Sequence, residues 1–401
     1  MRLSLSEFDD IRPYYDDEVD GVLANLLANR DFLEFIAKFK LPRLNAVFPK
    51  FTTYLVRIVL SRQVRKVHSI KDFQMAVASY ARKLVQETMH GFRCSGLEQL
   101  DSDESYLYVG NHRDIAGDSM LVDYALYLAG RETVRIAVGD NLVQRQFATD
   151  LMKLNKSFLI RRSETGAKKI YAALLESSRF IHASIATRNS IWIAQSEGRA
   201  KDGIDLTDPA LVKMLALAER KQAIGTTVKN LRIVPVSIAY EYDPCDLLKA
   251  RELHSLKSLG SYDKAPGEDL LSLVKGLGEF KGKVTLHFGT PLGDQFEIAE
   301  QVASEIDRQI LDGLQLYQIN YWALEKLSKR ALTEVEIAEG VGNDYHAVWQ
   351  QVAHLADLES LSVLTDRYDS CPEEYQLEWL HMYANPIVNK VKHGSANLTP
   401  D

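Results

Sequence analysis

Between about residues 18 and 90 the apolar positions recur at helical spacing. Val19, Val22, Leu23, Leu26 and Leu27 mark one face, Phe32, Leu33, Phe35, Ile36 and Phe39 mark the next, and amphipathic segments follow over 55–67 and 70–91. Pro42 and Pro49 break the run. From about 105 the period changes. Short β-branched or aromatic runs stand at 105–109 (SYLYV), 133–138 (TVRIAV), 157–160 (SFLI), 190–194 (SIWIA), 231–240 (LRIVPVSIAY) and 283–288 (KVTLHF). Helical stretches lie between most of them, at 118–129, 142–153, 166–186 and 208–223. Strands alternating with helices predict an α/β domain with a mostly parallel sheet flanked by helices, and in such sheets sites gather at the carboxyl ends of strands. Beyond 296 the pattern is helical again, and the segments around Trp322, Trp349 and Trp379 read as packing or an oligomer contact. The expected organisation is an N-terminal helical domain over 1–91, an α/β domain over 92–296 and a C-terminal helical extension over 297–401.

Composition narrows this picture. At 401 residues, 46% hydrophobic and 26% charged, the chain has enough apolar content for a sizeable core. Lys and Arg number 48 against 55 Asp and Glu, a net charge of −7, which argues against nucleic acid as a general partner. Cys94, Cys245 and Cys371 fit neither a disulfide framework nor a metal-binding spacing, so a reducing compartment is expected. The first twenty residues are acidic without an apolar run, so no secretory signal is expected and a cytoplasmic location follows. The longest apolar stretch, MLVDYALYLAG, is 11 residues and includes Asp123, well short of a span. Any action on lipid must come from outside the bilayer.

The chemistry concentrates in YLYVGNHRDIAGD, where an apolar strand runs into Gly110, Asn111, His112, Arg113 and Asp114. A histidine at a sheet end can take a proton at neutral pH. A carboxylate on its other ring nitrogen would fix the tautomer and stabilise the imidazolium. Asp114 and Asp118 compete for that role, and Asp118 also suits a helix entry, as cap and partner together. The HRD tripeptide is not a kinase loop. No Gly-rich phosphate loop precedes it, no asparagine follows at the required spacing and no DFG lies downstream.

Three more strand ends follow. In SFLIRRSETG, Arg161 and Arg162 are placed to clamp a phosphate or, more plainly, to form a surface ion pair. In IWIAQSEGRAKDG a strand gives way to Glu197, Gly198, Arg199 and Lys201, where glycine allows close approach of a ligand and the basic pair offers anion contacts. In IVPVSIAYEY, Pro235 points to an edge strand or an irregularity that shapes a pocket wall.

The order NHxxxxD, F-x-x-R, EG-x-R and V-P-V resembles that of the PlsC-type glycerolipid acyltransferases, which include glycerol-3-phosphate and 1-acylglycerol-3-phosphate acyltransferases. The resemblance covers roughly residues 95–290. It implies an acyltransferase-type α/β fold, His112 as general base with Asp118 as its partner, arginines on the phosphate of the acceptor, and no metal or organic cofactor. It implies transfer of a fatty acyl group from a thioester, acyl-CoA or an acyl-carrier protein, to a hydroxyl of a phosphate-bearing glycerol in phospholipid synthesis. Two features depart from the family. Five residues separate His112 from Asp118 where four are usual, and in EGRAKDG the arginine follows the glycine directly, so Arg199 and Lys201 both compete for the phosphate. Either arginine of FLIRR fits the pattern. Backbone N–H groups near Gly117 or Gly198 are candidates for the oxyanion. The alternatives are acyl transfer to an amine or a sugar hydroxyl, or a lipid- or carrier-binding module that has lost catalysis, for which the longer His–Asp spacing is the one supporting feature.

Residues 38–66 carry eight basic and no acidic residues, with Phe39, Phe48, Phe51 and Tyr54 interleaved. In an acidic chain this segment suits peripheral contact with anionic phospholipid or with an acidic acyl-carrier protein. A plain amphipathic hairpin with solvated lysines is the simpler alternative.

Overall fold

The computed structural model describes residues 5–140, 145–265, 267–330, 343–357 and 362–401. Its strands are β1 (Met89–Ser95), β2 (Leu107–Gly110), β3 (Arg135–Gly139), β4 (Ser157–Ile160), β5 (Ile191–Ala194), β6 (Ile233–Tyr240) and β7 (Gly282–Phe288). They follow the sheet order β1-β7-β6-β2-β5-β3-β4. β1 and β7, β2 and β6, and β3 and β4 pair in parallel, while β6 and β7 are antiparallel. The expected mostly parallel sheet flanked by helices is therefore present, with all six anticipated strands. The seventh, β1, falls partly where the sequence reads as a continuing helix over 70–91. That helix stops at Thr88 and an extended strand starts at Met89. The strand MHGFRCS is almost wholly solvent-facing, so it lacks the apolar alternation that marks its neighbours.

The chain divides into two compact units, Met1–Ala81 with Thr133–Ile191, and Arg82–Glu132 with Trp192–Asp401. The helices of the first stretch are α1 (Asp16–Ala28), α2 (Arg30–Lys40), α3 (Pro42–Val47), α4 (Pro49–Gln63) and α5 (Ile70–Thr88). Asn29 starts α2 by accepting the Phe32 N–H at 3.0 Å. Pro42 and Pro49 each take the first position of a new helix, where the missing N–H has no intrahelical partner to lose. Val19, Leu23, Leu26, Phe32, Leu33, Ala37 and Val56 form one core with Phe147 and Leu154. The last two lie on α7 (Gln146–Leu154), the described part of the helix anticipated at 142–153; residues 142–144 lie outside the described residues. α8 (Ala167–Ala186) follows β4 in the same unit.

In the second unit β2 and β6 are buried along almost their whole length, as expected for strands covered on both faces. β7 alternates, with Val284, Leu286 and Phe288 turned inward. Pro235 sits on an interior strand, not an edge. Its carbonyl accepts the Gly289 N–H at 2.8 Å, and having no N–H to return it ends the antiparallel ladder there. The helices are α6 (Gly117–Leu128), α9 (Pro209–Leu215), α10 (Ile224–Leu231), α11 (Asp246–Leu259), α12 (Glu268–Gly278), α13 (Ala299–Gly313), α14 (Gln318–Lys329), α15 (Asn343–Val352), α16 (Ser362–Asp369) and α17 (Gln376–Lys392). The helix anticipated over 208–223 ends as α9 plus a short 3-10 turn at Leu217–Glu219. The C-terminal helices close around Trp322 and Trp379, edge to face at 6.2 Å, with Tyr321, Leu324 and Tyr383 in the same cluster.

Candidate active site

The site is built on the end of β2, in the second unit. Asn111 extends the β2–β6 ladder with its side chain. Its Oδ1 accepts the Ile238 N–H at 2.7 Å and its Nδ2 donates to the Ile238 carbonyl at 3.0 Å. From the other side the loop after β5 holds the backbone, because Gln195 N–H donates to the Gly110 carbonyl at 2.8 Å and Ala200 N–H to the His112 carbonyl at 2.9 Å. His112 is thereby fixed to the sheet before its side chain makes any contact.

The imidazole Nδ1 lies 2.8 Å from Asp118 Oδ2, with the His112 side chain 15% and the Asp118 side chain 0% exposed. The same oxygen accepts the Arg113 N–H at 2.7 Å and the Asp114 N–H at 2.9 Å, and Oδ1 accepts the Tyr240 hydroxyl at 2.8 Å. Four donors thus hold one buried carboxylate, which removes the cost of burying its charge. A carboxylate at Nδ1 selects the tautomer with its hydrogen there and puts the accepting lone pair on Nε2. Burial first, and then the nearby Asp118 and Asp114 charges, push the Tyr240 phenol well above its ordinary value, so it stays a neutral donor. The Trp192 ring packs edge-to-face on His112 at 5.8 Å between centroids.

Asp114 does different work. Its Oδ1 accepts the Ala116 N–H at 3.1 Å and the Gly117 N–H at 2.6 Å, so Asp114 rather than Asp118 serves the entry of α6. Of the two acids, only Asp118 bonds the His112 ring. Asp114 Oδ2 is buried with no hydrogen-bond partner, and Gly276 of α12 approaches so closely that a Cβ there would overlap the carboxyl. Burial first, then the Asp118 charge, raise the Asp114 carboxyl above the usual range.

The other anticipated residues divide. Glu197 and Gly198 are exposed, and Gly198 holds φ +80 with open space where a side chain would stand. Arg199 has a buried Nη1 with no hydrogen-bond partner, and its charge opposes the rise of Asp114. Lys201 is committed to an ion pair with Glu252 at 2.9 Å. Arg161 and Arg162 belong to the first unit. Arg161 pairs there with Asp10 at 2.9 Å and Glu176 at 3.7 Å, and exposed Arg162 donates its backbone N–H to Asp140 at 2.9 Å. His112, Asp118 and the 197–201 loop are thus gathered in one unit, and the paired arginines stand in the other. The sequence reading missed Tyr240, the ion pair of Arg113 with Asp205, and buried Lys249 with Asp243. Tyr240 ends the IVPVSIAY strand already singled out. A tyrosine at the carboxyl end of the strand beside the histidine's own strand was the available signal.

Residues 91–239 match the family model described as Acyltransferase, a segment that contains both His112 and Asp118. The chain carries an acyltransferase domain and is an acyltransferase enzyme. Among solved structures it is similar to the crystal structure of the 1-acyl-sn-glycerophosphate (LPA) acyltransferase PlsC from Thermotoga maritima, at 14% identity and TM-score 0.37, covering 76% of this chain and 98% of that one. No curated protein matches the chain.

Proposed function

We propose that the protein transfers a fatty acyl group from a thioester, acyl-CoA or acyl-carrier protein, to a hydroxyl of glycerol 3-phosphate or 1-acylglycerol 3-phosphate. The observation that carries this is the His112–Asp118 pair at the end of β2, with its ring nitrogen and carboxylate 2.8 Å apart. His112 Nε2 takes the proton of the acceptor hydroxyl as its oxygen attacks the thioester carbonyl. The C–S bond then breaks and the imidazolium returns the proton to the leaving thiolate. No acyl-enzyme is needed, and no GxSxG elbow occurs in the sequence. Arg199, with a buried and unpartnered Nη1, is the favoured phosphate ligand over Lys201, which Glu252 already engages. The extra residue between His112 and Asp118 does not hold them apart, so the non-catalytic reading loses its only support.

Peripheral contact with an anionic membrane, from the cytoplasmic face, belongs to the same reading. No helix among the described residues is long and apolar enough to cross a bilayer. Val47, Phe48, Phe51 and Tyr54 of the α3–α4 corner are exposed by 66%, 58%, 57% and 63% beside Arg43, Lys50 and Arg57. The decisive experiment offers purified protein one acyl thioester, CoA-linked and carrier-linked, with glycerol 3-phosphate and then 1-acylglycerol 3-phosphate. His112→Ala should lower turnover by about 10² to 10⁴. A folded His112→Ala that keeps its rate, or failure with both acceptors alongside turnover of an amine, would reject the assignment.

A further inference from the structure

The C-terminal helices carry no motif, and the chemistry above does not use them. They nevertheless reach the catalytic loop through continuous polar contacts inside the second unit. Arg113, next to His112, is held at both ends of its own backbone: its N–H donates to Asp118 Oδ2 at 2.7 Å, and its carbonyl accepts from Lys249 Nζ at 2.7 Å. Lys249 is only 1% exposed, and its charge is balanced by Asp243 Oδ2 at 2.5 Å. Asp243 is in turn held by the C-terminal helices. Its N–H donates to the Tyr383 hydroxyl at 2.9 Å and its carbonyl accepts from Arg367 Nη2 at 2.8 Å. Arg367 Nε and the Tyr383 hydroxyl both donate to Asp246 Oδ2, at 2.7 and 3.0 Å.

Apolar residues of similar size would commonly stabilise such a core at least as well as a buried ion pair. What Lys249 adds is geometry, because it directs one of its donors at the single carbonyl next to the catalytic histidine. The loop after β5 is held from the same side. Asn385 Nδ2 of α17 donates to the Asp202 carbonyl at 2.7 Å, and Gly203, at φ +81, lies against the Met382 carbonyl.

We propose that Lys249, backed by Arg367 and Tyr383, is a positioning group for the catalytic pair: it fixes the Arg113 backbone, whose N–H holds the Asp118 carboxylate against His112. The C-terminal helices thereby set turnover without touching substrate. This rests on His112 and Asp118 being the pair that does the chemistry.

The test uses the full-length chain with Arg367→Gln and Tyr383→Phe, the second keeping the ring in its core. Each should lower kcat about tenfold, the scale of a sub-ångström misplacement, while KM for donor and acceptor stays within about twofold. Arg367→Lys should recover part of the loss. Rates are normalised to folded protein, so loss of folding alone leaves kcat unmoved. Unchanged kcat in both variants, or a loss carried by KM alone, overturns the positioning role. His112→Ala is measured in parallel. If it abolishes turnover while Arg367→Gln and Tyr383→Phe do not lower kcat, only the positioning role fails. If it leaves turnover intact, the catalytic reading fails first and takes this proposal with it.

Discussion

β2 and β4 begin alike and end differently. Both are four-residue apolar strands in parallel pairs, and both hand the chain to charged residues, His112 to Asp114 in one case and Arg161 with Arg162 in the other. After β2 the charged groups are drawn into a buried network in which Asp118 has four donors and Arg113 is pinned through both its N–H and its carbonyl. After β4, Arg161 stays part-exposed in pairs with Asp10 and Glu176. A buried unpaired charge costs several kcal/mol, on the order of 3–5 when a partner is removed, so partners near β2 are obligatory and their geometry is fixed. A surface pair contributes roughly 0–1 kcal/mol, so its geometry can drift. Charge at a strand end signals chemistry where neighbouring groups close around it.

The strongest way to break this contrast lies inside the β2 end itself. Asp118→Asn should cost turnover about 10² to 10⁴, because it removes the carboxylate that orients the base, while Asp114→Asn should cost under about tenfold, its acceptor oxygen being preserved. Equal losses in steady-state assays would dissolve the distinction between the two acids. Next in size, Gly276→Ala forces a Cβ into the Asp114 carboxyl and should destabilise by about 1–3 kcal/mol in urea melts. An unchanged midpoint would mean α12 is free to shift.

A pH series sharpens the role of burial. The Asp114 carboxyl is raised, by burial first and by Asp118 second, so the folded chain holds that proton more tightly than the unfolded chain does. Its contribution to stability is therefore present at low pH and is lost as pH rises from the ordinary carboxylate range through the folded value. Asp114→Asn removes that loss, so its advantage over the parent in urea midpoint should widen with rising pH. A gap independent of pH would contradict this. Asp243 has the opposite sign. Burial would raise it, but the Lys249 charge and hydrogen bond hold it below its usual range, so its contribution is lost as pH falls. The smallest effect is expected at β4. Arg161→Gln should change stability by less than about 1 kcal/mol and leave turnover within about twofold. A tenfold rise in KM for the phosphorylated acceptor would instead bring the β4 end into the functional site.

How much of this could be read from the chain depends on the kind of force involved. Strands such as β2 and β6 were legible because burial on both faces leaves β-branched and aromatic runs, as in IVPVSIAY, and β7 because its apolar positions alternate. β1 was not, because most of its side chains face solvent. His112 and Asp118 were singled out by motif order, and their side chains meet at 2.8 Å despite the longer spacing. The backbone bends so that Arg113 and Asp114 N–H groups converge on the same Asp118 oxygen, taking up the extra residue. Capping of α6 was credited to the wrong acid, since two aspartates four residues apart both suit a helix entry until the loop conformation is known. Tyr240 and Lys249 act on partners 122 and 136 residues away, and no local period encodes such a contact. The same holds for Lys201 of the loop after β5, whose neutralising Glu252 lies on α11.

Asn111 gives the site a clock. Its amide makes the final rung between β2 and β6 by bonding the Ile238 N–H and carbonyl together, so the Ile238 amide hydrogen can trade places with solvent only when that rung opens. Its exchange rate counts the openings of the floor on which His112 stands, on a scale of minutes to hours that rate assays average away. One backbone hydrogen, followed with and without acceptor, therefore times the loosening and tightening of the strand end that carries His112.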